Sequence, residues 1–382
     1  MLIIDNDDVR AVLTAEMTID ALRLAYREVV EGEGLCRPRI DMRFPTEDPA
    51  KVYQWGTMEG GSANTEYFAI RMKSDVKYEA KYEGVVTQEW YCTQPGMFMG
   101  LIMLLNIHNG EPLAFINDSA LQRMRVGGDA AIGVEMVGRE DASMVGILGS
   151  GGMARSHIRC LATVRPIKRV QVYSPTKEHR ELFAREVERD LGIEVVVCDD
   201  PASVYRGAHI LAACTDGGFA ENPGDFPSAH LGRYLEPGTH VTSVWGPLDT
   251  ATTDKLDLAL TLGVTPVPVS HPAWHTEDHA VFYSVSPDNP KYAEHEYLRK
   301  QYRYGMPKAG VNPLAGKQVY MEELLTGTKP GRTSPEQITF SDRGNLQGAQ
   351  FHAVAGKVYE AAKARGLGRE FPTEWLLQKE RN

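Results

Sequence analysis

The segment Leu148-Gly149-Ser150-Gly151-Gly152-Met153-Ala154 combines residue types and spacing that suit one task, holding a pyrophosphate. In the GxGxxA pattern it forms, Gly149 permits a tight turn and Gly151 lets the backbone approach a phosphate closely. Ala154 allows a helix to pack against the preceding strand, and the unpaired N–H groups at that helix start face the ligand. Ser150, Gly152 and Met153 complete the turn and the first helical residues. A glycine-rich turn alone is weak evidence. This one follows the apolar run Met144–Leu148 and opens a helical pattern, which is the context the fingerprint requires. A dinucleotide cofactor is expected, and hydride transfer with it.

The end of the next strand bears on which dinucleotide. NAD-selective sites place Asp or Glu there, accepting from the ribose 2′-OH. This chain reads Tyr173-Ser174-Pro175-Thr176-Lys177, with His179 and Arg180 beyond. Hydroxyls and cations in place of a carboxylate suit a 2′-phosphate. Ser174, Thr176, Lys177 and Arg180 are therefore expected to prefer NADP, with NAD the alternative.

Other chemistry-bearing clusters are read more plainly. His271, His275 and His279 would share a helical face, but Pro266, Pro268 and Pro272 interrupt it, and no metal is expected. The stretch Tyr297–Tyr304 carries Arg299, Lys300 and Arg303, and is read as a cover or contact rather than a nucleic-acid surface. Cys214, near a strand end without a partner base, is read as a core thiol.

The elements that position the fingerprint follow from periodicity. From about Ser143 short apolar runs alternate with helical patterns: Met144–Leu148, Arg169–Tyr173, Glu194–Cys198, His209–Thr215, His240–Val244 and Leu258–Val264. This alternation implies a parallel sheet covered on both faces. The first 140 residues read as mixed α and β. A helix is expected over Met17–Glu31, strands at Val52–Trp55, Tyr67–Lys73 and Met97–Asn106, a hairpin into Pro112–Ile116, and a helix over Gln122–Val137 holding the Gly127-Gly128 pair. A last helix, Val354–Arg365, meets Gly366-Leu367-Gly368, a Schellman stop.

The expected fold class is α/β: a Rossmann-type parallel-sheet domain over 142–320, with an insertion at 265–318, plus a mixed α+β domain over 1–141 and 321–382. The chain has 382 residues, with 41 Lys+Arg against 51 Asp+Glu and a net charge of −10. That balance argues against a nucleic-acid or anionic-membrane binder. No apolar run is long enough to span a bilayer, and the N-terminus lacks a signal-peptide pattern. Five scattered cysteines without CxxC spacing fit a reducing cytoplasm.

Several segments together resemble the ornithine cyclodeaminase/mu-crystallin family. Leu121-Gln122-Arg123-Met124-Arg125-Val126-Gly127-Gly128-Asp129-Ala130-Ala131 is similar to its LTxxRTAAxSA helix, and Arg37-Pro38-Arg39 to its PRx entry. Leu324-Leu325-Thr326-Gly327, Gly331-Arg332-Thr333-Ser334 and Ile338-Thr339-Phe340 resemble its C-terminal tail. The resemblance implies that Arg39 and Arg125 grip a substrate α-carboxylate, a task suited to guanidinium forks. It implies a lysine beside the reacting carbon at Arg71 or Lys73, which share a strand face. Of the two, Lys73 is the better proton handler, because lysine's pKa moves readily. Asp249 would position or protonate the substrate nitrogen, with a helix cap as the plainer reading. The same resemblance assigns substrate binding and dimerisation to the mixed α+β domain. Gln54 stands about where the cyclodeaminases carry a glutamate, and the family's RTAA reads Arg125-Val126-Gly127-Gly128 here, so that a hydroxyl near the cofactor is lost and the pocket is altered. Both departures weigh against ornithine as substrate.

The resulting expectation is a cytoplasmic, homodimeric NAD(P)H-dependent oxidoreductase acting on the C–N bond of an α-imino or α-amino acid. Small amino, imino or keto acids would be its substrates. A cyclodeaminase-type lyase that recycles NAD internally and a non-catalytic NADPH-dependent binding protein are the rivals.

Overall fold

The computed structural model describes residues 1–380 apart from 83–84, 216, 219–227, 245, 247, 265–279, 284–313, 345 and 379. Two sheets organise the described residues. The first is a twelve-strand mixed sheet, in which the strands Ile40–Pro45, Lys51–Ser62, Tyr67–Tyr82 and Gly100–Asn106 run antiparallel to one another in that order. Lys51–Ser62 and Tyr67–Tyr82 are far longer than the sequence implied. Their inward positions carry charge as well as apolar groups, so the apolar alternation fades while the strand continues. Pro112–Asn117 forms the expected hairpin with Gly100–Asn106. Val85–Cys92, which has no clear apolar period, adds a further strand beside Tyr67–Tyr82.

The second sheet is parallel, with eight strands. Its order is Glu194–Val197, Arg169–Tyr173, Met144–Leu148, Ile210–Ala213, His240–Ser243, Thr339–Asp342, Leu258–Thr261 and Gln318–Tyr320. The order reverses between Met144–Leu148 and Ile210–Ala213, the kind of crevice in which α/β sheets bind ligands. The α/β class and the parallel sheet thus stand as expected. The boundary at 320/321 does not: Thr339–Asp342 lies inside the parallel sheet, so the return to the other unit comes after residue 342. A four-residue strand is too short for apolar periodicity to reveal it. The stretch at 265–318 is also not simply an insertion in the parallel unit, since its strand Ala280–Tyr283 pairs with Ile40–Pro45 of the mixed sheet. The histidines at 271, 275 and 279 and the aromatic stretch 297–304 lie outside the described residues.

Helices Ala15–Glu31, Ser119–Val137, Gly152–Val164 and Gln347–Ala364 pack between the sheets. The Gly127-Gly128 pair makes this packing possible. A Cβ on Gly127 would lie 2.7 Å from the Ser156 carbonyl oxygen, and one on Gly128 2.8 Å from Leu22 Cδ1. Arg332 of the C-terminal tail donates to the carbonyls of Val137, Ser334, Pro335 and Gln337 and to Thr339 Oγ1, tying a helix end to the parallel sheet. The last helix closes as expected: Leu367 N–H bonds Ala362 O and Gly366 N–H bonds Lys363 O, with Gly366 at φ +64°.

Candidate active site

The glycine turn has the geometry its pattern implies. Gly149 sits at φ +100°, and a Cβ there would stand 2.5 Å from the Cys214 carbonyl oxygen. Gly151 precedes the helix Gly152–Val164 and has open space where a Cβ would project. The helix start therefore presents N–H groups that no capping side chain covers. A Cβ on Gly152 would press on Arg123, so the two helices meet closely at this turn. Ser150 Oγ and Ser174 Oγ lie 2.8 Å apart, joining the turn to the end of the second strand. A dinucleotide pyrophosphate fits this cradle. At the same edge Thr176 and Lys177 are exposed, and the Lys177 ammonium stands 3.8 Å from Glu181. Arg180 is buried and turns back, donating to Ser174 O at 2.8 Å and Asp199 Oδ1 at 2.9 Å.

The mixed sheet carries the other half of the site. Arg71, Lys73, Asp75 and Lys77 alternate along Tyr67–Tyr82 and all are buried on one face. Gly56 on the neighbouring strand sits opposite Lys73, with Asp41 across from it in turn. The position a Cβ would take on Gly56 is 2.5 Å from Asp41 Oδ1, 3.4 Å from Lys73 Cγ and 3.6 Å from Arg39 Nη2. Only a residue without a side chain leaves room for Arg39, Asp41 and Lys73 to meet.

Each of three cations here has its own carboxylate. Arg39 Nε donates to Asp41 at 2.8 Å, Arg71 Nε to Asp118 at 2.6 Å, and Lys73 Nζ stands 2.6 Å from Asp75. The Lys73 ammonium also lies over the Trp90 ring, 3.8 Å from its centroid. Burial, and next the positive charge of Arg39, push Lys73 down to about 7 against the pull of Asp75. Arg39 itself is lowered by burial.

Arg125 is held differently. Its Nε and Nη2 donate to Gln122 Oε1 at 3.1 and 2.8 Å, and its Nη1 to Gln350 Oε1 at 2.5 Å. Among the described residues it pairs with no carboxylate, and burial followed by the charges of Arg343 and Arg71 lowers it to about 9. Phe351 lies between Arg71 and Arg125, its ring 5.5 and 4.8 Å from their guanidinium carbons. Behind Arg125, Gln350 donates to Tyr26 OH and Asp129 Oδ1, and Tyr26 donates to Asp129. Burial raises the Asp129 carboxyl to about 7.

The two halves adjoin. Gly149 touches Cys214, and three residues on Gly217–Gly218 pairs with Val86–Thr87, on the strand that carries Trp90. Chain reach limits that step to about 14 Å. Arg71 and Arg125 meet over Phe351, and Arg71 and the half-buried Arg39 both act on Lys73, so the four residues form one cationic wall. Gln54 lies in the same sheet, its Oε1 accepting from Arg43 Nε at 2.9 Å and Lys77 Nζ at 3.2 Å. Asp249 is placed otherwise: it caps the helix Thr250–Lys255, accepting from Thr252 N–H at 2.7 Å and Gly232 N–H at 2.9 Å. Asp41, Asp75, Gly56, Trp90, Gln350 and Phe351 are site residues that sequence reasoning missed. The period-2 polar alternation from Arg71 to Lys77 is the signal that extends the strand and exposes Asp75.

Comparison with known proteins agrees with this architecture. The chain is 24% identical to an uncharacterized cyclodeaminase of Sinorhizobium fredii over 273 residues, 71% of this chain and 72% of that one. It is 24% identical to a Delta(1)-pyrroline-2-carboxylate reductase of Bacillus cereus over 368 residues, 96% of this chain and 98% of the other. Its fold resembles the Thermococcus litoralis Delta(1)-pyrroline-2-carboxylate reductase solved with NADH and L-proline, with a TM-score of 0.70 and 19% identity over 97% of this chain and 100% of that one. With residues 71–366 matching the family model, the chain belongs to the ornithine cyclodeaminase/mu-crystallin family.

Proposed function

We propose that the protein is an NAD(P)H-dependent oxidoreductase that reduces the C=N bond of an α-imino acid. The observation that carries this reading is Lys73, an ammonium held near neutrality inside a wall of guanidinium groups. A group with a pKa near working pH is suited to giving a proton as an imine becomes an amine. Arg125, a buried cation resting on amide oxygens, is suited to a substrate carboxylate, with Arg39 as the second fork. Arg71, pinned by Asp118, adds positive potential that disfavours the ammonium form of Lys73 and so readies its proton for transfer. When bound, the dinucleotide supplies the hydride; the residues of the chain orient the acid, exclude water and move the proton. The relatives' names, pyrroline-2-carboxylate reductase above all, support the same reaction class.

Asp249 contributes to this reading as a shaping residue, since both its oxygens already accept backbone N–H groups. We place NADP ahead of NAD because no carboxylate ends the strand Arg169–Tyr173 and Thr176 and Lys177 stand exposed beside it. Arg180 shapes that edge. A homodimer formed through the mixed-sheet unit and a cytoplasmic location belong to the same proposal. No described helix is long and apolar enough to cross a membrane.

The test is a panel of cyclic imino acids, and of α-keto acids with ammonia or amines, followed by oxidation of NADPH. Stoichiometric oxidation is expected. Ammonia release from ornithine without net cofactor oxidation would instead assign a cyclodeaminase. Binding of cofactor and imino acid without turnover of either kind would assign a binding protein. Titration with NADPH and NADH should show tighter NADPH binding; equal affinities would remove the NADP preference.

A further inference from the structure

One group of buried polar residues beside Lys73 has no part in the proton and hydride steps. Arg43, Gln54 and Asp75 face one another in register across three strands, and Lys77 follows two residues beyond Asp75. Arg43 and Lys77 both donate to the single acceptor Gln54 Oε1. This fixes the amide so that Gln54 Nε2, fully buried, has no hydrogen-bond partner among the described residues. An unsatisfied buried N–H2 costs free energy that a ligand acceptor would recover.

Lys77 shows the same want of an anion. Whereas Arg39, Arg71 and Lys73 each have an aspartate at ion-pair distance, no carboxylate among the described residues stands that close to Lys77. Its contacts are the neutral Gln54 oxygen and the Trp90 face, 4.1 Å from the ring centroid. Burial, then the charges of Arg43, Lys73 and Arg39, hold its ammonium well below the ordinary lysine range, with Asp41 pulling weakly the other way. Because Lys73 and Lys77 both lie against one indole ring, their ammonium groups are within about 8 Å of each other. One small molecule can reach both.

We propose that Lys77, Gln54 and Arg43 form a subsite for a second acidic group, so that the substrate is an α-imino acid carrying a distal carboxylate. The inference rests on the reductase reading for the α-imino end, while the distal subsite has its own observable. Lys77, whose ammonium form a bound carboxylate would favour, and the Gln54 amide would then determine specificity, rejecting substrates that leave the lysine and the N–H2 unanswered.

The experiment compares acids of equal length with and without the distal carboxylate: oxaloacetate against 2-oxobutanoate, and 2-oxoglutarate against 2-oxopentanoate. Each is assayed with ammonium and NADPH, and each is titrated calorimetrically into protein loaded with NADP. Wild type, Lys77→Met and Lys77→Arg are compared. In wild type at least one dicarboxylate is expected to exceed its partner by about 100-fold in kcat/KM and in affinity. Lys77→Met should bring that ratio toward one, and Lys77→Arg should keep most of it. A wild-type ratio at or below one, or a ratio that Lys77→Met leaves unchanged, overturns the subsite. Should no acid be turned over while dicarboxylate binding is tight and lost in Lys77→Met, the reductase reading falls and the subsite stands. Turnover of monocarboxylates with no dicarboxylate preference removes the subsite and keeps the reductase.

Discussion

Lys73 and Arg125 are both buried cations, yet their partners give them different chemistry. Lys73 has an ordinary value of 10.5 and is pushed to about 7 in the folded protein, so its ammonium persists only below that pH. If this ammonium protonates the product nitrogen, reductive kcat should fall as pH rises through about 7, and the reverse oxidation should rise over the same range. A pH–rate profile in both directions checks this. Lys73→Arg should lose that limb, because guanidinium does not titrate there. Arg125→Met tests the carboxylate grip. Its expected cost, about 2–5 kcal/mol, corresponds to roughly 30-fold to several-thousand-fold in kcat/KM. Cofactor affinity should change little, since Arg125 lies outside the glycine turn, while stability should fall by about 1–3 kcal/mol as the Gln122 oxygen and the buried Gln350 oxygen lose their donor. Joint loss of stability and cofactor binding would mean that Arg125 only bridges elements.

Two glycines separate packing from binding at the level of elements. Gly127 lies where the helices Ser119–Val137 and Gly152–Val164 cross, and a Cβ there would meet the Ser156 backbone at 2.7 Å. Gly127→Ala gains about 1 kcal/mol of helix propensity, but overpacking against backbone costs about 1–3 kcal/mol. Urea denaturation should show net destabilisation, with no specific effect on cofactor affinity in the folded fraction. Gly151 has φ −81°, which any residue adopts, and open space around it. Gly151→Ala should therefore leave stability within about 0.5 kcal/mol while weakening dinucleotide binding at least about tenfold. Normal binding by that variant would remove the turn from the cofactor site. By resemblance alone, the Gly127-Gly128 pair is a change in the pocket. Its contacts make it a crossing point between helices.

Asp129 acts on the whole molecule, because its oxygen gathers Tyr26 of one helix and Gln350 of another behind Arg125. Folding raises its carboxyl from 3.8 to about 7. Between those values the folded protein holds a proton that the unfolded chain has released. This group therefore lowers stability as pH climbs from about 4 to about 7, and the full penalty is present above 7. Asp129→Asn keeps an acceptor at Oδ1 and replaces Oδ2, which has no hydrogen-bond partner among the described residues, with a neutral N–H2. Its melting temperature should exceed that of the wild type by a few degrees at pH 8, and the difference should shrink toward pH 5. A constant difference across that range would assign the effect to packing instead of charge.

The glycine turn, the parallel alternation after Ser143 and the helix stop at Gly366 were all legible in the sequence. Each rests on local physics: a backbone conformation that glycine permits, a short repeat of apolar residues, a cap between near neighbours. The cationic residues Arg39, Arg71, Lys73 and Arg125 could be named, but nothing local could say which would be neutralised. That depends on Asp41, Asp75 and Asp118 and on the amides of Gln122 and Gln350, some of them far away along the chain. Likewise, Asp249 suits a catalytic carboxylate or a helix cap equally well until Gly232 and Thr252 are seen to occupy its oxygens. Residue type decided what chemistry was available. Strand register and burial, which set the dielectric and the neighbouring charges, decided where a proton could be held.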